Sequence, residues 1–144
     1  MNPVTILIAD DDQEDRQLIG EALRESRLAN PLKFVNDGED LMNYLNHVQD
    51  LPGLILLDLN MPKKDGREAL AEIKSNPRLR RIPVIILTTS KAEEDIYRTY
   101  NLGVNSFITK PVTFSSLVEV LRGMAHYWFE IVQLPPADRP SEEA

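Results

Sequence analysis

The chain has 144 residues, 42% hydrophobic and 27% charged, with a formal net charge of -7 and no cysteine. Such a chain fits one globular domain with a real core; its acidity argues against nucleic-acid binding through phosphate contacts, and the missing thiols exclude disulfides and thiolate chemistry. The opening MNPVTILIADDD has no basic n-region and too short an apolar stretch for a signal peptide, and no run approaches a membrane span, so the expected location is the cytoplasm.

Strand and helix patterns alternate along the chain. Residues 4–9 read as a strand, followed by a helix over about 13–26 with Leu18, Ile19, Ala22 and Leu23 at helical spacing. Asn30-Pro31 breaks that helix, and 32–35 form a short second strand. The turn Asn36-Asp37-Gly38 leads into a helix over 39–49 that carries Leu41, Met42 and Leu45 on one side. Leu51-Pro52-Gly53 stops it; 54–57 form the third strand, 61–65 a polar loop and 67–75 a third helix that buries Leu70 and Ile73. Pro83 opens a fourth strand over 84–87, and a fourth helix over 91–100 ends near Gly103, a suitable C-terminal cap. A fifth strand spans 104–109 and a fifth helix about 114–132. Residues 133–144, with Pro135, Pro136 and Pro140 among acids, have the composition of a flexible tail, so the expected division is a domain over 1–132 and a tail over 133–144. Five βα units without a repeat predict an α/β fold of the flavodoxin-like, doubly wound (βα)5 kind, with a parallel five-stranded sheet of order 2-1-3-4-5.

Four apolar runs in this pattern end in polar residues. VTILIA precedes Asp10-Asp11, LILL precedes Asp58, PVIIL precedes Thr88, and NSFIT precedes Lys110. Runs this short and apolar read as strands buried on both faces of a parallel sheet. Their carboxyl ends line up along one edge, at the crevice where open α/β sheets bind ligands. Crowded carboxylates repel unless a cation offsets them, and Mg²⁺ takes a few carboxylates together with waters and phosphate oxygens. A carboxylate at that edge can also be a nucleophile. Each residue has a plainer reading as well. Asp58 can cap a turn, Thr88 can finish a strand, and Lys110 can be a surface lysine. Asp12, Glu14 and Asp15 are read as a helix start, an N-cap followed by first-turn acids. No Gly-rich phosphate loop and no nucleophile-elbow serine motif is present.

Taken in order, the segments ILIADDD, NDGEDLMNYL, LILLDLNMPKKDGREAL, IPVIILTTS and GVNSFITKP resemble the receiver domain of two-component response regulators. The resemblance covers 4 to about 125. It implies that Asp58 is the phosphoacceptor, charged by a histidine kinase, and that Asp10 and Asp11 hold Mg²⁺ together with Asp58 and the backbone carbonyl of Asn60. It implies Thr88 and Lys110 as the hydroxyl and the ammonium that meet the phosphoryl group, with Thr88 and Phe107 as the switch pair. A Lys110-Pro111 peptide in the cis form, common in the family, is also implied. About a dozen residues follow the fifth helix, too few for an output domain, which suits a stand-alone regulator. Within that group LNMPKKDGREALAEIKSNPRLRRIPV and HYWFEIVQLP are similar to the small regulators paired with bacterial phytochrome kinases.

Charge neutralisation and in-line positioning are the main needs of phosphoryl transfer. Thr88 is therefore expected to move toward new phosphoryl oxygens, vacating space that Phe107 fills. Two other functions compete with the phosphoacceptor switch: an aspartyl-phosphate hydrolase, whose usual second acid is replaced here by Asn60, and a pseudo-receiver that keeps the fold as a protein-interaction module. Tyr127, Trp128, Phe129, Ile131, Val132 and Leu134 either extend the core or form a self-association surface for a homodimer.

Overall fold

The computed structural model describes residues 4–26 and 28–135. Strands and helices alternate as β1 (Ile6–Ala9), α1 (Gln13–Glu25), β2 (Leu32–Val35), α2 (Gly38–His47), β3 (Leu54–Leu57), α3 (Gly66–Ser75), β4 (Val84–Thr88), α4 (Glu93–Leu102), β5 (Ser106–Thr109) and α5 (Phe114–His126). The strands form one sheet of order 2-1-3-4-5 with every pairing parallel. No described helix is long and apolar enough to cross a membrane. The part of the expected tail from residue 136 onward lies outside the described residues.

Alternation along the strands creates two cores. Leu7, Ala9, Ile55, Leu57, Val84 and Ile86 join Leu41 and Leu45 of α2 and Leu70 and Ile73 of α3. On the opposite face Ile6, Ile8, Leu54, Leu56, Ile85 and Leu87 join Ile19 and Leu23 of α1 and Leu121 and Met124 of α5. Each layer buries the apolar side of its helices, the main favourable term in holding the sheet. The expectation of burial on both faces holds for β1, β3 and β4. It fails for β5, whose four residues are all half-buried, because β5 has a partner strand on one side only.

Local chemistry sets the helix starts. Asp12 accepts hydrogen bonds from the backbone N–H groups of Glu14 and Asp15, the N-cap expected of it. Asp37, Asp65 and Thr113 cap α2, α3 and α5 in the same way, whereas Ala92 gives α4 no side-chain cap. α4 therefore begins two residues later than its sequence pattern suggests; it ends at Gly103, left-handed at φ 107. The fifth helix does not run on to 132 as an α-helix. It widens into a π-helical turn at Tyr127–Ile131.

Register then places the polar residues. Ala9 is paired with Leu57, Leu57 with Ile86, and Thr88 with Thr109. Asp10 and Asp58, each one residue beyond its strand, thus leave the sheet side by side, with Thr88 and Lys110 on the neighbouring strands. The chain turns tightly after β3. A Cβ on Gly66 would lie 2.2 Å from the Asp58 carbonyl oxygen and 2.7 Å from Leu59 Cα. Only a residue without a side chain fits where α3 begins against the back of that turn.

Candidate functional site

Asp58 stands at the centre of the polar edge and is buried. Its Oδ1 accepts a hydrogen bond from Thr88 Oγ1 at 2.7 Å and one from the Asn60 backbone N–H at 3.1 Å. Its Oδ2 accepts from Lys110 Nζ at 3.2 Å. The carboxylate is thereby held at both oxygens by its own loop after β3, by the last residue of β4 and by the residue that follows β5.

Asp10 and Asp11 complete the acidic side. One carboxylate oxygen from each of Asp10, Asp11 and Asp58 lies within 4.8 Å of the others. Asp10 is buried, and Asp11 is exposed. Three hard oxygen donors at that separation, one open to solvent, fit a divalent cation that keeps some of its waters. Burial pushes the Asp10 carboxyl above the usual carboxylate range, even though the Lys110 hydrogen bond and the Asp12 N–H pull the other way. A buried acid held against its own desolvation is the state that a nearby positive charge relieves. Arg16 supports the loop from below, donating from Nη1 to the Asp10 carbonyl at 2.7 Å.

Lys110 Nζ reaches Asp10 Oδ2 at 2.6 Å, Asp15 Oδ2 at 2.8 Å and Asp58 Oδ2. Burial works against its charge, but the hydrogen bonds it donates to Asp10 and Asp15 outweigh that and raise its pKa, so the ammonium is protonated at any physiological pH. With its side chain only 11% exposed and three carboxylates on its ammonium, Lys110 is not the surface lysine of the plainer reading. Asp15 does more than start a helix: besides its place in the first turn of α1, its carboxylate is a partner of Lys110. The spacing was visible in sequence, but a first-turn acid is already accounted for by the helix dipole.

Thr88 is fully buried, and its hydroxyl donates to Asp58. Phe107 is half-buried and packs against the core on the α2 and α3 side. Its backbone N–H donates to Tyr100 Oη at 3.2 Å, so α4 covers the free edge of β5 at that residue. The Lys110-Pro111 peptide is trans, as are all peptide bonds among the described residues, against the cis form implied by the family resemblance. Asn60 has an exposed side chain, and its backbone is tied to Asp58 through its N–H.

A second polar group lies beside the first. Arg67 Nε and Nη2 donate to the two carboxylate oxygens of Asp95, each at 2.7 Å, and Ser90 Oγ donates to Asp95 Oδ2 at 2.7 Å. This fork joins the start of α3 to the first turn of α4 and fixes the loop after Thr88. Nothing in local sequence announces it, because the partners are 28 residues apart.

Comparison with known proteins accords with this geometry. A family model of the response regulator receiver domain matches residues 6–122. Response regulator Rcp1 of Synechocystis is 44% identical over 140 residues, spanning 94% of this chain and 95% of its own. Among solved structures, the phosphorylated cyanobacterial phytochrome response regulator RcpA superposes with a TM-score of 0.88 at 44% identity, covering 92% of this chain and 99% of its own. The Mn²⁺-bound form of Rcp1 gives a TM-score of 0.86 at 43% identity, with the same coverage.

Proposed function

The chain belongs to the response regulator receiver family, and from that premise we propose that it takes a phosphoryl group from a histidine kinase onto Asp58 and passes the signal on as a change in partner binding. The observation that carries the reading is the double hold on Asp58, with a hydroxyl and an N–H on Oδ1 and an ammonium on Oδ2. Such a carboxylate is aimed and ready, and little covalent help is needed beyond that. One of its oxygens attacks phosphorus; the new O–P bond forms as the P–N bond of the kinase phosphohistidine breaks, and the imidazole nitrogen keeps the electron pair.

Asp10, Asp11 and Asp58, with the Asn60 carbonyl, are the ligands we assign to Mg²⁺. A bound divalent cation supplies positive charge for the phosphoryl oxygens during transfer. Lys110 supplies a second positive charge, and Thr88 and the Asn60 N–H supply donors. Thr88 and Phe107 are the switch pair: the Thr88 hydroxyl, which donates to Asp58 in the unmodified chain, follows the added phosphoryl oxygens, and Phe107 fills the space it vacates. Asn60, two residues after Asp58, gives no acid or base for rapid turnover, which favours a signalling role over a hydrolase. The intact acids, hydroxyl and ammonium speak against a pseudo-receiver.

Rcp1 and RcpA lend support to a bacterial phytochrome as the kinase, since RcpA is a phytochrome response regulator. The working unit on this reading is a receiver over 1–132 with a short tail over 133–144, acting in the cytoplasm. Tyr127 and Ile131 are exposed on the π-helical turn, and this supports a homodimer formed through that segment. Loss of the dimer mass after deletion of 127–144 is the expected result, and an unchanged mass removes the idea.

The central test is direct. Incubation with Mg²⁺ and a small acyl phosphate should add the mass of one phosphate to the chain, and none to Asp58→Asn. Labelling of both, or of neither, refutes the assignment. A Thr88→Ala variant should still be labelled but should lose the phosphorylation-dependent shift around β4 and β5.

A further inference from the structure

Lys110 is a shared group. An ammonium has three protons. Three carboxylates stand against this one: Asp10 at 2.6 Å, Asp15 at 2.8 Å and Asp58 at 3.2 Å. Every donor direction is taken, and none remains for an arriving phosphoryl oxygen. The contact to Asp58, the longest of the three, passes to its phosphoryl group on modification, and a second phosphoryl oxygen can reach the ammonium only if Asp10 or Asp15 yields.

Burial decides which. Asp10 is 2% exposed, and depriving a buried carboxylate of its cation is costly. The Asp15 side chain is 35% exposed, so water can take over its hydrogen bond at small cost. Asp15 is also outside the group of acids that share one cation position. Its carboxylate is nonetheless closer to the ammonium than that of Asp58. In the unmodified chain it draws positive charge away from the place where a phosphoryl group arrives, and it adds a negative charge of its own nearby.

We propose that Asp15 is a positioning residue that competes with the phosphoryl group for Lys110, holding the ammonium toward α1 until Asp58 is phosphorylated and then releasing it to the phosphoryl oxygens. This rests on the assignment of Asp58 as the phosphoacceptor. Asp15 thereby restrains the rate at which the chain is charged. It touches neither the nucleophile nor the phosphorus, and it acts through Lys110.

The test uses the full chain with Mg²⁺ and a small acyl phosphate, following phosphorylation by intact mass. Asp15→Asn should be charged about fivefold faster than the unsubstituted chain, the scale of one half-exposed charge pair. Asp15→Glu restores the carboxylate and should return the rate toward the starting value. Glu14→Gln is the control: it removes one acid from the same helical turn without a Lys110 contact, and its rate should stay put. Beryllium trifluoride, which occupies the phosphoryl position without covalent transfer, should bind Asp15→Asn more tightly by a similar factor. A rate for Asp15→Asn equal to or below the starting value overturns the proposal. So does equal acceleration by Glu14→Gln, which would point to bulk charge instead. Labelling that survives Asp58→Asn would refute the phosphoacceptor assignment itself, a different result from either of these.

Discussion

Arg67→Ala should loosen α4 before it loosens anything else. α4 buries a single residue, Thr99, and its N-terminus has no side-chain cap. Little apolar burial holds it, so the Arg67–Asp95 fork carries an unusual share of its attachment. The fork depresses the Asp95 carboxyl from 3.8 to about 2, and the Arg67 hydrogen bond is the main cause. A drop of that size corresponds to about 2 kcal/mol of preference for the ionised form. Arg67 is 33% exposed, so solvent screening reduces the value of the pair to about 1–2 kcal/mol. The sign of its pH dependence follows from linkage. A carboxyl with a lowered folded pKa stabilises above its unfolded value and loses that contribution as pH falls through the folded one. The contribution is therefore complete at pH 7, and about half of it remains at pH 3. Urea unfolding of the unsubstituted chain and of Arg67→Ala at both pH values should show the gap narrowing by that factor. Hydrogen exchange at pH 7 should show faster exchange in α4 while β1 and β3 stay protected. An equal gap at pH 3 and pH 7, or unchanged α4 protection, would refute the claim that this ion pair anchors the helix.

Three further outcomes are expected. Asp10→Asn should raise the urea midpoint at pH 7 when no divalent cation is present, because burial holds the folded pKa of Asp10 above its unfolded value and its ionised form costs stability above that range; millimolar Mg²⁺ should close the gap by stabilising the unsubstituted chain alone, and a lower midpoint under both conditions would contradict this. Gly66→Ala should cost about 3 kcal/mol or more, seen as a lower melting temperature, and should slow phosphorylation, since its Cβ meets the Asp58 carbonyl and displaces the turn that carries the acceptor. Arg78→Ala removes donors at 2.7 Å and 2.6 Å from the Leu45 and Val48 carbonyls at the end of α2; it should cost about 1–2 kcal/mol in urea unfolding and leave the phosphorylation rate unchanged, because that end of the sheet is remote from Asp58.

Much of this was legible in sequence for an identifiable reason. Ile6–Ala9 and Leu54–Leu57 are apolar runs of equal length that each end at an acid, and register alone then sets Asp10 beside Asp58. Asp12 and Gly103 act through backbone groups within a few residues of themselves, so their roles as caps could be seen locally. What escaped was non-local or already accounted for. Arg67 and Asp95 meet only because α3 and α4 are neighbours over the sheet. Asp15 looked complete as a first-turn acid. The half-burial of β5 depends on its place at the edge, which an apolar run does not reveal. The π-helical turn follows a stretch whose apolar spacing continues without a break, so periodicity gave no sign of the widening.

The two polar groups at the carboxyl edge answer different demands. Arg67, Ser90 and Asp95 form a closed set in which both carboxylate oxygens have partners and the pair is ordered by geometry. Asp10, Asp15 and Asp58 share a single ammonium, Asp11 adds a fourth carboxylate beside Asp10 and Asp58, and the group remains short of positive charge. A site that needed only to be stable would have the balance of the first set. The deficit in the second leaves room for a cation, and the crowding on Lys110 means that a phosphoryl group on Asp58 gains more than one contact with the ammonium only at the expense of Asp10 or Asp15. The unmodified chain thus holds its reactive edge in a state that costs stability, and the apolar packing of β1, β3 and β4 on both faces offsets that cost.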